Sequence, residues 1–179
     1  MNKHLLERGM IQVYTGKGKG KTTAALGLAL RAVGRKLRVC MIQFIKGGEP
    51  CGEHLAAEML APYLTIIQTG HKGWLGRKKP GPEVTACART AFEMAQKAVS
   101  GEEYDLVILD EINTAVSYDL VSAEELLQLM KEKDTHVELV LTGRNAAPEI
   151  MAAADLVTEM REIKHYFKAG VPARIGIEK

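Results

Sequence analysis

The residues best placed to do chemistry come early in the chain. In TGKGKGKTT (15–23), Lys17, Lys19 and Lys21 alternate with Gly16, Gly18 and Gly20, and Thr22 and Thr23 follow. An apolar run, IQVY, leads into this stretch, and a helical pattern, KTTAALGLALRAV, leaves it. Strand, glycine loop and helix in that order make a phosphate cradle: backbone N–H groups converge on an anion, and the helix N-terminus adds partial positive charge. The glycines let the main chain approach, Lys21 can reach the phosphates, and Thr22 can place its hydroxyl on Mg²⁺. The common pattern G-x-x-x-x-G-K-[ST] has glycine where this chain has Thr15. The other reading, a glycine-rich turn with solvated lysines, leaves the flanking strand and helix unused.

A loop of this kind works with an acidic element at the end of a neighbouring strand, which holds the metal directly or through water. LVILDE (106–111) supplies Asp110 and Glu111 in that position. Arg144 and Asn145, in TGRNA (142–146), follow another strand end and face nucleotide or a second substrate, or else form a plain turn. Arg161, Glu162, Lys164 and His165, in REIKH (161–165), shape the same edge, and for His165 a hydrogen-bonded structural role competes with a ligand role. The only tryptophan, Trp74, lies in TGHKGWLGRKK (69–79), as a packing anchor or a working residue. Arg77–Lys79 reads as solvated charge, with docking of an acidic partner as the sharper option.

Six apolar runs must carry these residues: residues 10–14, 38–45, 64–69, 105–110, 137–142 and 155–160. Their near-continuous apolar character predicts strands covered on both faces. Helical patterns fill 21–33, 82–100, 123–133 and 148–154, with Gly34 ending the first and a Ser122/Glu125 capping box opening the third. The fold class is therefore α/β: an open, mostly parallel six-stranded sheet with helices on both faces. Two long polar loops, 46–53 and 70–82, follow strand ends on the edge where such sheets bind ligands.

The chain has 179 residues, which suits one domain around one core, with residues 1–9 as an N-terminal arm. Its 24 Lys+Arg against 22 Asp+Glu leave a net charge of +2, too balanced for a nucleic-acid or membrane-surface footprint. Cys40, Cys51 and Cys87 lack C-x-x-C spacing and read as free thiols in a reducing cytosol. No signal peptide and no apolar run near the ~18 residues of a membrane span is apparent, so the expected location is cytoplasmic.

Motifs alone leave open which nucleotide reaction is served. Taken in order, YTGKGKGKTTAALGLALRAVG, RVCMIQFIKG, LVILDEINTAV, LVLTGRNA, ADLVTEMREIKH and AGVPARIGIE, over about residues 10–178, resemble the P-loop family of ATP:corrinoid adenosyltransferases. The resemblance implies a RecA-like P-loop fold and an enzyme that transfers the 5′-deoxyadenosyl group of MgATP to the cob(I) centre of a corrinoid. Triphosphate is released, in adenosylcobalamin biosynthesis or salvage. It implies ATP bound in the reverse sense, with C5′ of the ribose presented to cobalt.

The T-G opening resembles the family's own variant of the loop. Thr15 thus joins Gly16, Lys17, Gly18, Lys19, Gly20, Lys21, Thr22 and Thr23 as nucleotide-binding, with Arg144, Asn145 and Trp74 on the substrate side. Lys17 stands where other members often have asparagine. Lys19, Lys21 and Glu111 are implied as catalytic, and Thr22, Asp110 and Glu111 as the metal side. Family members often carry G-F-x-W near Trp74, an aromatic pair that displaces the lower axial ligand of cobalt. This chain keeps Gly70 and Trp74 but has His71, Lys72 and Gly73 between them. A flavoprotein electron donor and a homodimer are also implied. Two rivals stand beside this reading: a P-loop ATPase or phosphotransferase acting on another small molecule, and a nucleotide-gated binding module without turnover.

Overall fold

The computed structural model describes residues 6–72 and 80–178. Six strands form one sheet: β1 (Ile11–Thr15), β2 (Val39–Gln43), β3 (Leu64–Gln68), β4 (Leu106–Asp110), β5 (Glu138–Thr142) and β6 (Leu156–Glu159). They lie in the order β3-β2-β4-β5-β1-β6, and all five pairings are parallel. Parallel pairing requires a crossover after each strand, and the helices supply the cover: α1 (Lys21–Val33), α2 (Gly52–Met59), α3 (Pro82–Ser100), α4 (Ile112–Ser117), α5 (Ala123–Glu132) and α6 (Pro148–Ala153).

Side chains alternate across the sheet into two cores. Cys40, Ile42, Val107, Leu109, Leu139 and Leu141 join the core that holds α3, α5 and α6. Val39, Met41, Leu106, Ile108 and Val140 meet α1 and α2 on the opposite face. The buried stripe of α1 is Ala25, Ala29 and Ala32, small residues at helical spacing that let its backbone lie close over β4 and β5. Ser122 caps α5 as expected: its hydroxyl accepts from Glu125 N at 3.1 Å, and the Glu125 carboxylate accepts from Ser122 N at 2.9 Å.

Three expectations change. Coverage on both faces holds for β2, β4 and β5 but fails for β6, whose Leu156 and Val157 are each 44% exposed. β6 is an edge strand, paired only with β1 and followed by a 3₁₀ turn at Tyr166–Ala169 in place of a covering helix, and all four of its residues are exposed. The polar loop 46–53 gives way to α2 at Gly52, a helix whose apolar residues are too few for a clear period. A further short helix, α4, starts directly after the acidic pair. At residue 9, Gly9 N donates to Thr135 O at 2.8 Å. Among the described residues no helix is long and apolar enough to cross a membrane. The three cysteines are free, and burial pushes the Cys40 thiol up to about 12.

Candidate active site

Strand register sets the site. Gln43 pairs with Asp110, Tyr14 with Thr142 and Thr15 with Glu159, so the C-terminal ends of five strands finish level. Whatever follows each strand is delivered to one edge. β1 delivers the glycine-lysine loop, β4 the acidic pair, β5 the TGRN turn, and β2 and β6 the flanks.

The loop is shaped from behind as well as from the ligand side. Gly18 N donates to Met160 O at 2.7 Å, and Met160 N donates to Thr15 O at 2.8 Å. A Cβ on Gly16 would stand 2.4 Å from Met160 O, and one on Gly18 would stand 2.8 Å from the same oxygen. These glycines therefore admit the segment after β6 besides any approaching phosphate. Thr15 is buried, and its hydroxyl accepts from Ala146 N at 3.2 Å, tying the loop entry to the turn after β5. A glycine at that position would lack this tie.

Lys21 is 6% exposed, and its ammonium donates to the Gly16 and Gly18 carbonyls at 2.8 Å each. Burial holds its pKa below the ordinary lysine value, with Glu111 the strongest opposing influence. Lys17 and Lys19 are exposed at the loop rim. Thr22 Oγ1 donates to Asp110 Oδ1 at 2.9 Å, and Thr142 Oγ1 donates to the same oxygen at 2.7 Å. Thr142 in turn accepts from Glu111 N at 3.0 Å. Glu111 sits in the left-handed region at φ 65°, the N-cap of α4, and its carboxylate accepts from Thr114 Oγ1. Thr114 also accepts from Arg144 N at 2.9 Å, so main chain and hydroxyl couple the TGRN turn to Glu111.

Asp110 is fully buried, and its second oxygen, Oδ2, has no well-aligned hydrogen-bond donor among the described residues. Its neighbour is Lys46 Nζ, 3.0 Å away, which also lies 3.5 Å from Glu53 Oε1. Burial pulls the Lys46 pKa down, yet Asp110, with Glu53 and Glu111 behind it, outweighs that and holds the ammonium above its ordinary value. A buried carboxylate oxygen short of donors, beside a threonine hydroxyl and a second carboxylate, is a donor set for a hard divalent cation such as Mg²⁺. Elsewhere, Cys51, Glu53 and His54 bring ligand atoms within 4.8 Å of one another. Cys51 and His54 are already engaged as the capping box of α2, with His54 Nδ1 accepting from Cys51 N at 2.9 Å.

A cavity of about 660 Å³ opens over these groups. The loop from Lys17 to Thr23 forms one wall, and Glu111, Arg144 and Lys46 stand beside it. The chain after β6 supplies another part of the lining, Phe167, Ile177 and Glu178, and Leu26 and Ala56 complete it from α1 and α2. The Glu178 carboxylate holds that segment together, accepting from Tyr166 Oη and from Arg174 Nη2 at 3.0 Å, and Glu162 pairs with Lys168. His165 lines the cavity and also accepts from Phe167 N through Nδ1 at 3.1 Å, so the structural role is present.

The structure thus gathers Lys19, Lys21, Thr22, Asp110, Glu111 and Arg144 at one place. Asn145 is exposed in a left-handed turn at φ 55° and is not in the cavity wall, nor are Arg161 and Lys164. Trp74 and Arg77–Lys79 lie outside the described residues. Sequence reasoning missed Lys46, Glu53, Thr114 and Thr142. A lysine three residues past a strand end was the available signal for the first; the threonines gave none.

Comparison with known proteins follows the same lines. A family model described as ATP:corrinoid adenosyltransferase BtuR/CobO/CobP matches residues 7–178. A corrinoid adenosyltransferase of Escherichia coli (strain K12) is 40% identical over 172 residues, covering 96% of this chain and 86% of that protein. The corrinoid adenosyltransferase CobA of Salmonella typhimurium is 38% identical over 172 residues, again 96% and 86%. Among solved structures, the flagellar accessory protein FlaH of Methanocaldococcus jannaschii superposes with a TM-score of 0.55 at 15% identity, covering 86% of this chain and 72% of that one, a likeness of fold.

Proposed function

The chain belongs to the ATP:corrinoid adenosyltransferase family and transfers the adenosyl group of ATP to a corrinoid; from that premise we propose how its residues carry the reaction. The observation that supports the assignment best is the convergence of the Lys21 ammonium, the Thr22–Asp110 hydrogen bond and Glu111 on one edge beneath a shared cavity.

In this reading the polyphosphate lies in the loop and C5′ of the ribose points away from it, toward cobalt. The cob(I) electron pair attacks C5′, the C5′–O5′ bond breaks, and triphosphate leaves with the bond's electrons. Cob(I) corrinoids are strong nucleophiles, so no side chain has to be activated by a base. The protein instead stabilises charge that grows on the departing oxygens. Loop N–H groups and Lys19 and Lys21 would stabilise that charge as it develops, an advantage specific to the transition state. Lys21 leaves two loop carbonyls for the phosphates, and its low solvation makes the exchange favourable. Thr22, Asp110 and Glu111 would hold Mg²⁺, whose chemistry there is neutralisation of polyphosphate charge. Arg144, coupled to Glu111 through Thr114, orients the same end. Phe167 and Ile177, apolar members of the cavity lining, would pack against the adenosine.

Trp74 is assigned the role of an aromatic wedge against the lower face of the corrinoid, aiding reduction. A flavoprotein donor, a homodimer, a cytoplasmic setting and a single working domain with an arm at residues 1–9 complete the proposal. The decisive assay incubates the protein with MgATP and chemically reduced cobalamin. Triphosphate together with a light-sensitive alkylcobalt spectrum is the expected result; ADP plus phosphate would point to an ATPase or phosphotransferase, and binding without product to a module. Trp74→Ala should slow reduction-coupled adenosylation more than the reaction with pre-reduced cobalt, and equal losses would remove the wedge.

A further inference from the structure

The loop after β2 contributes a cation that neither the phosphate loop nor the acidic pair accounts for. Lys46 Nζ stands 3.0 Å from Asp110 Oδ2 and 3.5 Å from Glu53 Oε1, between a fully buried carboxylate and a half-buried one. Its own side chain is 32% exposed and forms part of the cavity wall. An unpaired carboxylate as deeply buried as Asp110 would be strongly unfavourable, and Lys46 is the cation that offsets it.

The backbone beneath Lys46 is locked. Gly70 N donates to Lys46 O at 2.9 Å, and a Cβ on Gly47 would stand 2.1 Å from Gly70 O. Movement of the ammonium therefore has to come from the flexible four-carbon stem, and that stem already opens onto the cavity. Asp110 Oδ1 already accepts from Thr22 and Thr142, so Oδ2, where the Lys46 ammonium stands, is the oxygen open to a metal. A divalent cation bound there would meet the ammonium as a like charge and compete with it for the same oxygen.

We propose that Lys46 is an exchangeable countercation: it neutralises Asp110 when no metal is bound, and metal binding turns its ammonium off Asp110 into the cavity, where it meets polyphosphate. The inference rests on Asp110 being on the metal side. It gives one residue opposite effects on two ligands. Lys46 competes with the bare metal ion and cooperates with the nucleotide, a pattern that a purely structural lysine would not produce.

The test measures binding, with the full chain. Mn²⁺ alone is titrated by electron paramagnetic resonance against wild type, Lys46→Gln, Lys46→Arg and Asp110→Asn, and ATP is titrated by calorimetry at Mn²⁺ concentrations that saturate each protein. Lys46→Gln should tighten Mn²⁺ roughly tenfold and weaken ATP at saturating Mn²⁺ roughly three- to tenfold, while Lys46→Arg stays within about threefold of wild type for both. In wild type, acylation of Lys46 followed by mass spectrometry should speed up several-fold as Mn²⁺ saturates, a readout that needs no variant to fold. Loss of Mn²⁺ binding in Asp110→Asn with unchanged Mn²⁺ affinity in Lys46→Gln, or a Lys46 acylation rate indifferent to Mn²⁺, overturns the exchange and leaves the metal-side reading standing. Undiminished Mn²⁺ binding in Asp110→Asn overturns the metal-side reading, and the exchange with it.

Discussion

The two walls of the cavity are built by different rules. On the phosphate side the working groups are buried and cross-braced: Lys21 is 6% exposed, Asp110 has no exposure, and Thr22, Thr142 and Thr114 tie them to strand ends fixed by parallel register. On the tail side Phe167 is 67% exposed and Ile177 59%, in a segment held by the Arg174–Glu178 ion pair and the hydrogen bond from Tyr166 to Glu178. Once its ammoniums have exchanged their protein partners for phosphate, the first wall stands ready, so little reorganisation is needed as the leaving group forms. The second offers apolar area with little rigidity, which suits contact with a nucleoside and makes it tolerant of change. Geometry that must be held to a fraction of an ångström is built on the sheet; contact that only has to cover is left to the tail.

Substitutions should grade accordingly. Lys21→Ala removes the ammonium from the braced wall and should lower transfer with pre-reduced cobalamin by roughly a thousandfold with a near-native circular dichroism spectrum; turnover near the wild-type rate would break the contrast at its strongest point. Thr114→Val keeps the shape but cuts the link from Arg144 N to Glu111, leaving a half-buried carboxylate one donor short. A loss in kcat of about tenfold, with KM for ATP little changed, is expected from steady-state kinetics. Phe167→Ala, on the tail, should raise KM for ATP about three- to fivefold and leave kcat within twofold, because it removes contact present in both ground and transition states.

The smallest effect is electrostatic. Arg174 and then Tyr166 hold the Glu178 carboxyl down at about 2, from an ordinary value of 4.5. A carboxylate whose pKa is lowered in the folded state contributes order that is complete above 4.5 and fades as pH falls through about 2. Amide protection factors over residues 166–178 should therefore be flat from neutrality to about pH 5 and fall below the ordinary carboxylate range, and Glu178→Gln should show the lowered protection at every pH. Equal exchange in the two proteins at neutral pH would mean that the ion pairs do not hold the tail.

The same contrast explains what could be read from the sequence. The six strands and the helices at Lys21–Val33 and Pro82–Ser100 were legible because buried parallel strands are apolar runs and long helices have a clear period. The glycine-lysine loop and LVILDE were legible because their chemistry restricts residue type at fixed spacing. Lys46 and Glu53 were not, because their meaning comes from β2 lying beside β4, a neighbour relation that no local pattern encodes. Gly16 and Gly18 were read for one reason and turn out to have two, since Met160 passes behind them. Thr114 and Thr142 hydrogen-bond across elements separated by about 30 residues and carry no signal of their own. The exposure of β6 was hidden because DLVTEM has the hydropathy of an interior strand, while its position at the edge comes from topology.

The place of β1 has a consequence for how the molecule comes into being. The first strand of the chain is bordered by the last two, β5 and β6, and the loop that follows it leans on Met160. During synthesis the glycine-lysine segment leaves the ribosome well before the stretch around Met160 that it leans on, and it waits, unshaped, until that stretch follows. ATP can then act as a seal, rewarding only molecules in which β1 and the segment after β6 have met.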